Sequence, residues 1–121
     1  MSDTPKSLQA LLNAWNEKDS SKVRSHLETA LAPEVIFADP NYLTQGIDEF
    51  EAMVHEFHQK YPISKCEHTS GLDSHHNRFR YSWLVSINKV AALPGLDVTQ
   101  LNDDGKIVSI DGFFASLPNK Q

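Results

Sequence analysis

Two aspartates occupy positions where a carboxylate is out of place, and both have the chemistry to move protons. Asp39 ends the run Val35-Ile36-Phe37-Ala38 directly before Pro40, which puts a carboxylate at the rim of an apolar element. Asp97 lies inside Leu93-Pro94-Gly95-Leu96-Asp97-Val98-Thr99-Gln100-Leu101. Aspartate is a poor strand former, and its charge is costly on a buried face. Such a group either pairs or keeps its proton, and a pKa raised by three units corresponds to about 4 kcal/mol of differential interaction. The protonated form can donate a hydrogen bond. Each residue also has a plainer reading, Asp39 as an Asx turn before proline and Asp97 as an outward residue on a solvated sheet face.

Six histidines and one cysteine raise the question of a metal. Glu51, His55 and His58 share helical spacing, but no fourth ligand is suggested elsewhere, and solvated helix positions explain them. His75 and His76 are successive residues beside a turn, and in a strand they would point to opposite faces. Cys66 and His68 share one strand face, where Cys66 reads as a buried or pocket-wall thiol. The expectation is no metal and no cofactor. Arg78, Arg80 and Asp111 could form an acid and arginine set in the sheet, although exposed cross-strand ion pairing accounts for them.

The elements that must position these groups follow from periodicity. Leu8, Leu11, Leu12 and Trp15 recur at i, i+3, i+4 and i+7, giving a helix over about residues 5 to 18 with Pro5 in its first turn. Asp19 to Ser21 cap a second helix carrying Val23, Leu27, Ala30 and Leu31, closed by Pro33. A short strand, Val35 to Ala38, and a loop to Gly46 follow. The third helix opens on Asp48 and Glu49 and carries Phe50, Met53, Val54, Phe57 and Tyr61 until Pro62 stops it. Beyond Ile63 the period becomes two. Phe79, Tyr81, Trp83, Val85 and Ile87 alternate with polar residues, with Gly71 to Ser74 as the turn before them. Strands from about Leu93 to Leu101 and Lys106 to Ala115 flank the hairpin turn Asn102-Asp103-Asp104-Gly105 and complete an antiparallel meander. The fold class is therefore α+β: three N-terminal helices packed on a curved antiparallel sheet, a cone whose open end is suited to a small molecule. Trp15, Phe57, Tyr61, Trp83 and Phe113 read as core or as cavity lining.

With 121 residues, 40% hydrophobic, the chain fits a single domain over 1–121 and buries a real core without staples. One cysteine cannot form an internal disulfide. The net charge of −5 and a pI near 5.6, with scattered basic residues, exclude a phosphate-tracking surface, so no nucleic-acid partner is expected. No apolar run is long enough to span a membrane, and Met1 to Lys6 lack the apolar stretch of a secretory signal. A cytoplasmic protein without a membrane partner is the expectation.

Taken together, Ala14-Trp15-Asn16 with Asp19, Phe37-Ala38-Asp39-Pro40, Gly46-Ile47 with Phe50, Arg78 to Trp83, Gly95-Leu96-Asp97-Val98, Asp104-Gly105-Lys106-Ile107 and Gly112-Phe113-Phe114 resemble the SnoaL-like branch of the nuclear transport factor 2-like superfamily over nearly the whole chain. The resemblance implies a cystatin-like cone, usually a homodimer through the sheet, that binds a small hydrophobic molecule. It further implies isomerase or cyclase chemistry on a carbonyl compound. Asp39-Pro40 is similar to the general-base motif of ketosteroid isomerases, and Asp97 to their protonated oxyanion donor, the pairing that is a standard example of one ionised and one neutral carboxyl in an apolar site. The tyrosine that completes that oxyanion hole falls near Leu11 here, which leaves Tyr42 or His58 to reach the cavity from elsewhere. The expected site is thus Asp39 and Asp97 as catalytic residues, with Trp15, Tyr42, Phe57, His58, Trp83 and Phe113 against the ligand. A non-catalytic binding or interaction module is the alternative. A third reading, an epoxide-hydrolase-like enzyme, would need Arg80 and Asp111 beside Asp97.

Overall fold

The stripe of Leu8, Leu11 and Ala14 is buried on one side of α1 (Lys6–Asn16), with Pro5 just outside as its N-cap. The computed structural model describes residues 4–120, so Met1 to Asp3, part of the segment bearing on secretion, lie outside the described residues. The Asp19 carboxylate accepts the Ser21 N–H at 3.0 Å and caps α2 (Ser20–Ala30). This helix ends at Ala30, earlier than its apolar stripe suggests, because Pro33 disfavours a helical conformation at Ala32. Leu31 therefore begins β1 (Leu31–Ala38), a longer strand than Val35 to Ala38 alone. Pro33, which has no N–H to offer, falls where the pairing of β1 slips between Leu31 and Ile36.

The loop expected before Gly46 contains β2 (Leu43–Gln45), which pairs with β1. Next comes α3 (Gly46–Lys60). Its fully buried Phe50 meets Trp15 of α1 and Phe37 of β1 edge to face, at ring centroid distances of 5.8 and 5.3 Å. The remaining strands are β3 (Ser64–His68), β4 (Asp73–His75), β5 (Arg78–Ile87), β6 (Val90–Leu101) and β7 (Ile107–Phe114). The turn into β5 is made by His76 and Asn77 at φ 48° and 61°, because Asp73 to His75 are themselves paired with β5.

The sheet runs β2-β1-β7-β6-β5-β3, with β4 also on β5. The meander β5-β6-β7 is antiparallel as expected, and Gly105 takes φ 80° in its hairpin. The whole sheet is mixed, however, since β1 lies parallel to β7. The three helices cover one face of the curved sheet. Side chains rather than ladder bonds hold α1 to the edge strand β3. The Asn16 amide donates to the Cys66 carbonyl and accepts its N–H, both at 2.8 Å, while Lys18 Nζ donates to the Ser64 carbonyl at 2.7 Å. Asn16 thus satisfies backbone groups that an edge strand would otherwise expose.

Candidate functional site

Strand parity decides what faces the space between helices and sheet. Cys66 and His68 on β3, Tyr81 and Trp83 on β5, Asp97 on β6, and Gly112 and Phe114 on β7 all line one cavity of about 480 Å³. The helices close it with Leu8, Leu11 and Trp15 from α1 and with Met53, Phe57 and Lys60 from α3. Exposed Asn41, Tyr42, Glu56 and Lys60 mark its rim. Of the expected residues, Asp39, Asp97, Trp15, Tyr42, Phe57 and Trp83 lie in this wall.

Two expected lining residues do not. His58 sits one position past Phe57, off the cavity-facing stripe of α3, and its Nε2 contacts the Trp15 carbonyl at 2.7 Å at the end of α1. Phe113 is 60% exposed on the outer face, and its neighbour Phe114 lies in the cavity instead. Arg80 also faces outward, where its Nε donates to Asp73 at 2.6 Å. Asp111 is exposed, so neither joins Asp97 in the cavity and no Asp-Arg-Asp set is assembled. Glu51 binds Arg24 and His55, which uses both of its carboxylate oxygens. The His75 and His76 rings do meet, with Nδ1 atoms 3.2 Å apart, because His76 is a turn residue rather than a strand residue. Among the described residues no group of three or more His, Cys, Asp or Glu is placed to hold a metal.

The two aspartates converge at Gly112. A Cβ at that glycine would stand 2.9 Å from Asp97 Oδ1 and 3.4 Å from Asp39 Cβ, so a residue without a side chain leaves room there for the Asp97 carboxyl and for the base of the Asp39 side chain. Asp39 Oδ1 accepts the N–H groups of Asn41 and Tyr42, each at 2.8 Å. It is therefore an Asx turn and a cavity residue at once. Asp97 is half-buried, and burial pushes its carboxyl up to about 7. Against that, the Trp83 Nε1–H donates to Asp97 Oδ1 at 2.9 Å and favours the charged form, while the charges of Asp39 and Asp111 disfavour it. Burial thus extends the neutral acid well above the pH range in which an ordinary aspartate ionises.

Burial favours the neutral forms of three groups of the inner wall. Burial pushes the Cys66 thiol up to about 12, and burial also raises the Tyr81 phenol, whose hydroxyl contacts Thr99 Oγ1 at 3.0 Å. Burial lowers His68, whose ring lies 4.5 Å from that of Tyr81. At the rim the Tyr42 hydroxyl donates to Glu56 at 2.6 Å, and this bond holds its pKa above the ordinary phenol value. Tyr81 and Val85 were legible as one face of β5, but His68, Phe114 and Gly112 needed the register. Nothing in residue type distinguishes Phe113 from Phe114.

A largely apolar cone between a curved sheet and its helices, with carboxyl groups in its wall, places the chain in the cystatin-like class. It is similar to the crystal structure of a SnoaL-like family protein from Agrobacterium tumefaciens strain C58, provisionally named an isomerase, at 30% identity over 91% of this chain and 95% of that one, with a TM-score of 0.84. The chain belongs to the SnoaL-like family. A protein from Sinorhizobium meliloti provisionally named a polyketide cyclase has the same fold at 13% identity, covering 91% of this chain and 95% of its own, with a TM-score of 0.73. A protein with a cystatin-like fold from Methylobium petroleophilum PM1 covers 95% of this chain and 77% of its own at 16% identity, with a TM-score of 0.75. No family model matches the sequence, and no curated protein matches it.

Proposed function

We propose that the protein binds a small hydrophobic carbonyl compound in the cone and catalyses proton transfer on it. The observation that carries this reading is that Asp39 and Asp97 both line the cavity beside Gly112, in a wall that is mostly aromatic and aliphatic. Asp39, as carboxylate, takes a proton from the carbon α to the carbonyl. The electrons move onto the carbonyl oxygen, and the protonated Asp97 donates a hydrogen bond to the enolate as its charge develops. Asp39 then returns its proton to carbon, at the same atom for exchange or at a conjugated one for isomerisation. No cofactor enters this scheme. The names given to the Agrobacterium and Sinorhizobium proteins, an isomerase and a cyclase, agree with enolate chemistry.

The direct experiment follows deuterium incorporation from D2O into the α-positions of a panel of aryl and alicyclic ketones by NMR. The wild-type protein should accelerate exchange for at least one ketone, and Asp39→Asn should lose at least 100-fold of that acceleration while keeping its fold. Equal exchange by wild type and Asp39→Asn would overturn the catalytic reading. A second reading is favoured by Leu11, which lines the cavity without a hydroxyl where the resemblance calls for a tyrosine. It makes the protein a binding module, and ligand stabilisation without exchange would select it. We propose further that the outer sheet face, with Ile36, Val98 and Phe113 exposed, is covered by a second copy of the chain.

A further inference from the structure

We propose that Trp83 is a positioning residue that fixes which oxygen of Asp97 carries the proton. An indole N–H can only donate, so the atom it meets must accept. That atom is Asp97 Oδ1, at 2.9 Å. Oδ1 is thereby held as the carbonyl-type oxygen of the neutral acid, and the proton resides on Oδ2, which has no hydrogen-bond partner among the described residues. The hydrogen bond offered to a ligand then leaves from one defined atom in one defined direction. Without the indole, either oxygen could carry the proton and the carboxyl could turn about its χ2 torsion, which is broad for aspartate.

Two glycines in the sheet make this contact possible. Trp83 lies directly across from Gly95, and a Cβ at Gly95 would fall 2.1 Å from the indole ring. The ring therefore occupies the space that a side chain at 95 would fill, which brings its N–H over the next inward residue of β6, Asp97. On the other side, Gly112 leaves room for Oδ1 itself, at 2.9 Å from its missing Cβ. Glycine weakens a strand, so its presence in β6 and in β7 beside this hydrogen bond needs a reason, and close approach of Trp83 and Asp97 supplies it. The edge contact of the Trp83 ring with Phe114, at 6.1 Å between centroids, holds the indole from the far side.

The inference rests on the proposed reading only for its catalytic meaning, because the hydrogen bond can be tested without any substrate. The chain has two tryptophans, so Trp15 serves as an internal reference for the indole N–H resonances in a 15N-labelled sample. The titratable groups around Asp97 are Asp39 just past β1, Cys66 and His68 from β3, Tyr81 from β5 and Glu56 and Lys60 at the rim, with the charge of the exposed Asp111 acting from the outer side of β7. The Trp83 N–H should move with pH by a single step that disappears in Asp97→Asn and persists in His68→Gln. In Trp83→Phe the Asp97 carboxyl resonance should titrate at higher pH than in the wild type, because a donor to the charged form has gone. Gly95→Ala, which displaces the same ring without removing it, should shift Asp97 in the same direction. A Trp83 N–H indifferent to Asp97→Asn, or an Asp97 midpoint that stays or falls in both variants, would overturn the assignment. If the hydrogen bond is confirmed and no ketone exchanges, the positioning role stands and the catalytic reading fails.

Discussion

Asp97 carries the sharpest consequence at the scale of single residues, because its protonation is tied to stability. Its carboxyl titrates at about 7 in the folded chain, whereas an unperturbed aspartate titrates near 3.9. Between those values the native state holds a proton that the unfolded state has lost, so stability must fall as pH rises. The contribution of the neutral acid is fully present below about pH 4 and is gone once pH has passed through 7. Asp97→Asn keeps an oxygen for the Trp83 N–H and removes the charge. It should match the wild type near pH 4 and exceed it at pH 8 by on the order of 2 to 4 kcal/mol, the upper figure being three units at about 1.4 kcal/mol each. Chemical denaturation at the two pH values measures this. Stability curves that run parallel across pH would show that Asp97 is not held in its neutral form. The loss at high pH is what ionising a carboxyl in a largely apolar wall costs.

At the scale of elements, the residues that repeat with a clear period were the ones that could be read without coordinates. The stripe of α1, the stripe of α3 and the alternation of β5 each announce themselves, because a helix or strand that buries one face must space its apolar residues accordingly. Ends were less legible. Leu31 continues the stripe of α2 yet begins β1, since Pro33 disfavours a helical conformation at Ala32, the next residue, and this outweighs the periodic pattern. The parallel pairing of β1 with β7 was invisible, because no local signal states how strands far apart in the chain run relative to one another. Of the site, both aspartates could be found from their misfit with apolar strands. Phe113 and Phe114 could not be told apart, because a shift of one residue exchanges the two faces. His58 failed for a similar reason, as one step of about 100° on α3 turns it from the cavity to the end of α1. Trp83 was expected to line the cavity, but its partnership with Asp97 emerged only with the pairing of Gly95 beneath its ring.

The whole molecule sorts its polar groups by face. Carboxylates and arginines such as Arg24, Asp48, Asp73 and Arg80 pair outside, and the cavity keeps Asp39 and Asp97 among aromatic and aliphatic side chains. Among the described residues no helix is long and apolar enough to cross a membrane. An uncovered apolar patch lies on the outer sheet face, where Phe113 is 60% exposed near Val98. If a second copy covers it, sedimentation should report a dimer for the wild type and a folded monomer for Phe113→Lys, and a wild-type monomer at tens of micromolar would contradict the assembly. The proposed chemistry requires that the Asp97 carboxyl hold its proton well above the ordinary aspartate range, in the same cavity as Asp39. The measurement that tests it most directly is a 13C NMR titration of the side-chain carboxyl groups, with Asp97 assigned by the resonance missing from Asp97→Asn. A midpoint of about 7 for Asp97 is the predicted result, and a midpoint near the ordinary aspartate value of about 4 would contradict it.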